Sequence, residues 1–221
     1  MNYVRYSFLA LLKTIGYLIY PSKLNWLSKE PEDWSQVSLI LVLNHTSLFE
    51  FVYGVALPYR FLWELSRRLV MPVADITLNK PIAGFIFSRL APKTIGLSRK
   101  RDESWNNFLK EIDQDDICIF MPEGQMKRKN GLDKHGNPMV VKTGVYELLQ
   151  KYEGKNMVVV YSKGLHHVFA PGDRVPKIFK RIEADVEFFE VNKYLNQYSH
   201  SANTGEIIAK DLQNRRDRHC S

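Results

Sequence analysis

Cysteine is scarce in this 221-residue chain: Cys118 sits inside an apolar run and Cys220 stands alone near the other end of the basic tail. Two such residues suggest neither a disulfide framework nor a metal-ligand set, and they are compatible with a reducing compartment. Long hydrophobic runs are missing as well. In the most apolar segment, Tyr3 to Tyr20, Arg5 and Lys13 break the run into pieces shorter than the ~20 residues of a spanning helix. No small-residue cleavage site follows it, which argues against a secretory signal. There is no internal repeat or low-complexity tract. Neither Cys118 nor any serine sits in a recognisable nucleophile elbow. Basic residues are scattered and carry no nucleic-acid-binding motif, so nucleic acid is not an expected partner.

What is present is enough for one sizeable core, with 45% hydrophobic residues and a formal charge of +7. That charge by itself favours anionic partners: phosphate-bearing substrates, acidic carrier proteins, anionic lipid surfaces or nucleic acid. In the first segment Leu9, Leu12, Ile15, Leu18 and Ile19 recur at helical spacing, interrupted by Lys13 and Thr14. Flanking Tyr and Lys residues suit a helix lying among lipid headgroups. A helix packed on the domain's own core is the plainer reading. Residues 1–35 are thus expected to form an interfacial helix and connector, ahead of a main domain over 36–221.

Strand and helix patterns alternate after that. Val37 to Leu43 is short and rich in Val, Ile and Leu, as a buried strand is. Further strands are expected at Val70–Ala74, Lys93–Leu97, Ile117–Met121, Met157–Tyr161 and, as a longer arm, Ile178–Glu190. Helices are expected from Thr46 or Ser47 to about Leu57, then at Phe61–Arg68, from Asn79 through Phe87, at Glu103–Ile112, Thr143–Tyr152 and Gly205–Asn214. The alternation predicts a single α/β domain with a mixed, mostly parallel sheet flanked by helices.

Active groups in such sheets collect at the carboxyl ends of strands. The first of these ends carries Asn44-His45, and Glu50 follows the histidine by five positions, about one helical turn into the next element. A histidine with a carboxylate partner is the minimum apparatus for taking a proton from a hydroxyl. A histidine beside a solvated glutamate is the alternative. Another end carries Ser98-Arg99. A third, Pro122-Glu123-Gly124, continues as QMKRKNG with Lys127 and Arg128, and Lys142-Thr143-Gly144 opens the following helix. Cations, glycine-permitted amides and a helix N-terminus suit an anionic oxygen cluster such as phosphate. Each loop alone also reads as a solvated basic turn. His166-His167 lacks metal-ligand spacing, and the tail NRRDRH reads as a solvated end with a lesser claim on anionic lipid.

NHTSLFE, the arginine of IGLSRKRD and FMPEGQMKR, in this order, resemble the glycerolphosphate acyltransferase superfamily, which includes the 1-acyl-glycerol-3-phosphate (lysophosphatidic acid) acyltransferases. The similarity runs from about Val37 to Ser162. The family's His-x4-acidic block falls on His45 and Glu50 with Asn44 before it, its arginine on Arg99, and its Pro-Glu-Gly on Pro122, Glu123 and Gly124. Its later Phe-Lys-x-Gly segment is similar to Val141-Lys142-Thr143-Gly144. The resemblance implies that His45 is the general base on an acceptor hydroxyl and that Glu50 orients the imidazole. It also implies that Arg99, Glu123, Gly124 and Lys127 or Arg128 hold the acceptor's phosphate, with Asn44, Pro122 and Lys142 in support. The implied donor is acyl-CoA or acyl-carrier protein as co-substrate, with no cofactor and no metal. The implied setting is the cytoplasmic face of a membrane, in peripheral or monotopic association.

The chain departs from the family pattern at Glu50, where Asp is usual, at Gln125 and Met126, where Thr and Arg are common, and in MVVVYSKG, which lacks a proline. His-x4-Glu also resembles the acyltransferases that finish lipid A, although the Pro-Glu-Gly block does not. The expected reaction is acyl transfer to a lysophospholipid hydroxyl. A different lipid acceptor (an amino- or glycolipid) and a non-catalytic lipid-binding relative are the alternatives.

Overall fold

The computed structural model describes residues 2–78, 81–98, 102–198 and 202–220. In chain order it runs α1 (Asn2–Ile19), β1 (Ser22–Trp26), β2 (Val37–Leu43), a 3-10 run (Glu50–Ala56), α2 (Tyr59–Arg68) and β3 (Leu69–Ala74). Next come α3 (Asp75–Leu78), α4 (Pro81–Leu90), β4 (Lys93–Leu97), α5 (Glu103–Glu111) and β5 (Ile117–Phe120). After a long loop follow α6 (Gly144–Lys151), β6 (Asn156–Ser162), α7 (His166–Phe169), β7 (Ile182–Glu190), α8 (Val191–Asn196) and α9 (Thr204–His219).

Among the described residues the strands make one seven-stranded sheet in the order β1-β7-β6-β2-β5-β3-β4. The five strands from β6 to β4 are mutually parallel, while β7 runs antiparallel to β6 and β1 parallel to β7. This is the mixed, mostly parallel α/β sheet that the alternating pattern predicts. Because β2, β5 and β6 are parallel neighbours, their carboxyl ends open on one edge. The loops after Leu43, Phe120 and Ser162 therefore meet.

β2 is buried on both faces, as its unbroken apolar run requires. Leu39, Leu41 and Leu43 point into a core built with α5, α6, α8 and α9, whereas Ile40 and Val42 point toward α1, α2 and the 3-10 run. Helix α1 is joined firmly to that second side. Arg5 donates to the Ser66 carbonyl at 3.2 Å, and Lys13 donates to the carbonyl of Val55. Gly16 sits so close to the 3-10 run that a Cβ there would lie 2.6 Å from Val55 Cγ1. The helix leaves Tyr3, Val4, Leu11, Ile15 and Leu18 exposed on its other side. No helix among the described residues is long and apolar enough to cross a membrane.

Several elements differ from expectation. The connector before residue 35 contains β1, an edge strand whose short, half-polar sequence SKLNW gives no clear period, so Ser22–Trp26 belong to the sheet. The segment after Ser47 is a 3-10 run, not an α-helix. The last strand begins at Ile182 instead of Ile178, and the basic tail is not a solvated end but a continuation of α9 through His219.

Candidate active site

At the end of β2 the chain must turn sharply, and Asn44 does so in the left-handed region, at φ 63°, which asparagine tolerates better than most residues. Its side chain is held on both sides: Nδ2 donates to the Ser162 carbonyl at 2.7 Å and Oδ1 accepts from Lys127 Nζ at 3.3 Å. The turn brings His45 and Glu50 together. His45 Nδ1 bonds Glu50 Oε2, while Glu50 Oε1 accepts the Thr46 amide at 2.7 Å. With an ionised carboxylate facing it, Nδ1 carries the proton and Nε2 is left as the basic nitrogen. Both side chains are buried. Burial opposes the charged imidazolium, but the charge and hydrogen bond of Glu50 and the charge of Glu123 outweigh it, so the His45 pKa is raised.

Glu123 takes a different place from the one expected of a phosphate-holding residue. Its two oxygens accept the backbone amides of Asn44 at 3.0 Å and His45 at 2.8 Å. Arg216, from α9, reaches in from the other side and donates to Glu123 Oε1 at 2.8 Å and to the Met139 carbonyl at 3.0 Å. The carboxylate is thus a bracket on the histidine's backbone, and with Gly124 it lines the cavity. Gly124 also differs: its φ of 67° explains the glycine, but its amide closes a turn on the Met121 carbonyl at 3.0 Å.

The cations divide. Lys142, tied to the loop by its amide on the Pro122 carbonyl at 2.9 Å, lines the cavity below, together with Gln125. Lys127 turns to Asn44, its amide donates to the His45 carbonyl at 2.7 Å, and Arg128 is exposed outside the cavity lining. Arg99 lies outside the described residues.

Sequence reasoning missed the clasp opposite Lys127. Thr46 Oγ1 accepts the Leu165 amide at 2.7 Å, Ser47 Oγ donates to the Phe169 carbonyl at 2.7 Å, and His166 Nε2 donates to the Lys127 carbonyl at 2.6 Å. It missed Arg216 as well, which leaves no local signal because its partner is 93 positions away.

His45 and Glu50 stand at the polar end of a cavity of about 1130 Å³. Leu12 and Ile19 of α1, Val55, and Val42, Met71 and Val160 of the sheet form its apolar wall. Such a space exceeds the ~300–1,000 Å³ of ordinary small-molecule pockets. It suits a long apolar chain whose polar end meets a general base. Among the described residues no three His, Cys, Asp or Glu side chains converge as a metal-ligand set.

No family model matches the chain, and no curated protein matches it. Among solved structures, the fold is similar to that of the 1-acyl-sn-glycerophosphate (LPA) acyltransferase PlsC from Thermotoga maritima. The match has 16% sequence identity and a TM-score of 0.52, covering 97% of this chain and 81% of that one. At that identity the likeness is one of fold.

Proposed function

We propose that the chain is an acyltransferase that moves a fatty acyl group from an acyl thioester, acyl-CoA or acyl-carrier protein, to the hydroxyl of a lysophospholipid such as 1-acyl-glycerol-3-phosphate. The observation that carries this reading is the buried His45–Glu50 pair at the polar end of a large apolar cavity. The fold likeness to PlsC agrees with it.

In the proposed reaction His45 Nε2 accepts the proton of the acceptor hydroxyl as its oxygen bonds to the thioester carbonyl carbon. Glu50 holds the ring and stabilises the imidazolium. The tetrahedral intermediate then expels sulfur, which leaves as a thiol with the proton returned by His45. A thioester is already activated, so the transfer asks for no cofactor. Glu123 and Arg216 act by fixing the backbone of the base, not by touching substrate. Lys142 and Arg99 are assigned to the acceptor's phosphate, with Lys127 and Arg128 on the adjoining loop. The acyl chain occupies the apolar cavity. The exposed apolar side of α1 is assigned to the cytoplasmic face of an anionic membrane, from which the acceptor comes.

A second acceptor class is favoured by one observation. Met126, an uncharged side chain, lines the cavity where the resembling family commonly places arginine. An amino- or glycolipid hydroxyl suits that wall. Thiol release from a panel of acyl-CoAs and acyl-carrier proteins, each offered with lysophosphatidate, other lysolipids or no acceptor, tests both. Acceptor-dependent release that vanishes in His45→Ala is expected. Absence of release from every donor by a folded, lipid-binding protein would instead identify a non-catalytic lipid binder.

A further inference from the structure

Between α7 and β7 lies a loop, residues 171–181, that neither the catalytic pair nor the cavity uses. Its backbone is stapled in place. The Asp173 amide donates to the Ala170 carbonyl at 3.0 Å, and the Lys177 amide to that of Val168 at 2.8 Å. His167 Nε2 donates to the Arg181 carbonyl at 2.7 Å, and the Ile182 amide to that of Pro21 at 2.9 Å, beside the end of α1. A segment so fixed would ordinarily turn apolar side chains inward. This one presents Val175, Ile178 and Phe179 to solvent at 71%, 54% and 70% exposure. Phe179 does so from the left-handed region, at φ 57°, a conformation bulky residues rarely adopt.

The surroundings continue the same character. Phe169 of α7 meets Phe49, which in turn meets Tyr20 and Phe51 in edge-on ring contacts. Leu48 and Phe51 both line the cavity and are part-exposed, and Tyr17 and Leu18 at the end of α1 are exposed. Interleaved with the apolar residues of the loop are Arg174, Lys177, Lys180 and Arg181, of which Arg181 pairs with Glu183 at 2.7 Å and Lys177 lies 3.9 Å from Asp173.

We infer that loop 171–181 is an insertion element for an anionic bilayer, in which Val175, Ile178 and Phe179 enter the interface and the lysines and arginines meet headgroup phosphates. Apolar tips ringed by positive charge match an anionic lipid surface. An acidic protein would satisfy the charges but leave the rigidly displayed side chains without a hydrocarbon partner. The loop and α1 then rest on one leaflet, with the aromatic rim of the cavity between them. This inference rests on the reading that the substrate is a membrane lipid.

Sedimentation of the full chain with phosphatidylcholine vesicles, alone or mixed with phosphatidylglycerol, tests it. The variants are Ile178→Ser with Phe179→Ser, and Lys177→Gln with Lys180→Gln. All four sites are exposed, and thermal melts confirm folding. The serine pair is expected to lower partition roughly tenfold or more on both vesicle types. The glutamine pair should weaken binding only to the anionic vesicles, as added salt does. Turnover of a water-soluble, short-chain acceptor should be unchanged in both. Equal partition of wild type and serine pair overturns the loop assignment. So does a serine-pair defect confined to binding acyl-carrier protein or to self-association. Normal soluble-acceptor turnover without vesicle binding sinks the loop and spares acyl transfer, whereas vesicle binding lost in the serine pair, with no turnover in wild type, spares the loop and sinks acyl transfer.

Discussion

Two neighbouring valines on β6 face opposite interiors. Val159 is fully buried in the core shared with α5, α6, α8 and α9, while Val160 lines the cavity beneath α1 and the 3-10 run. The same sheet therefore has a filled face and a hollow one. The filled face supplies stiffness, since interiors packed at crystal-like density resist movement. The hollow face leaves apolar atoms short of partners, which costs stability. The His45–Glu50 pair sits on the hollow side, yet its backbone is braced through Glu123 by Arg216 from α9, a helix that belongs to the filled side.

The sharpest break in this arrangement is His45→Ala. Turnover by thiol release is expected to fall on the order of 10²–10⁴-fold, read well below the transition, because loss of the ring also leaves the buried Glu50 carboxylate without its partner and lowers the melting temperature. Arg216→Met tests whether the filled side supports the site. It leaves the Glu123 carboxylate without its cation, at a cost on the order of 3–5 kcal/mol in denaturant unfolding. Activity measured well below the new transition should also fall, since the amides of Asn44 and His45 lose their fixed acceptor. Activity unchanged in a destabilised variant would reduce Arg216 to a purely structural role.

Glu50→Gln sharpens the electrostatic side. The raised His45 pKa means that the base is protonated, and turnover lost, as pH falls through a value above the ordinary 6.5. The stability sign is opposite: the His45–Glu50 ion pair contributes fully below 6.5 and is lost as pH rises through the raised value. Glu50→Gln should cut turnover about tenfold or more and move the ascending limb of its pH profile downward. A limb that stays put would show that Glu50 does not set the titration.

The smallest effect separates the two faces most directly. Val159→Phe should cost roughly 1–3 kcal/mol by overpacking, whereas Val160→Phe should cost under about 1 kcal/mol because space waits for the ring. Val160→Phe should also shift donor preference toward shorter acyl chains. Equal destabilisation of the two variants would mean the hollow face closes in solution.

What the residues alone reveal follows contact distance along the chain. The buried character of Val37–Leu43 and the meeting of His45 with Glu50 are legible because a seven-residue apolar strand and a five-residue spacing are local. The parallel order of the central strands follows from alternation with helices. β1 is not legible: its partner β7 is about 160 residues away and SKLNW carries little period of its own. Nor is the true place of Glu123. A glutamate in a loop of lysines and arginines suggests ligand chemistry, and only the fold shows that two backbone amides and a distant guanidinium engage it. The tail misleads for a related reason, since Arg216 looks like one more solvated cation until α9 is laid against the sheet.

That reach of Arg216 across the chain also sets an order of events in time. Asn44 and His45 leave the ribosome early, with β2, and Glu123 follows while α9 has yet to be made. Until residue 216 emerges, the carboxylate that brackets the backbone of His45 lacks its cation. A nascent chain can thus assemble much of the sheet while His45 remains loosely aimed. On the proposed reading, reactivity would arrive late in synthesis, after the apolar space has formed.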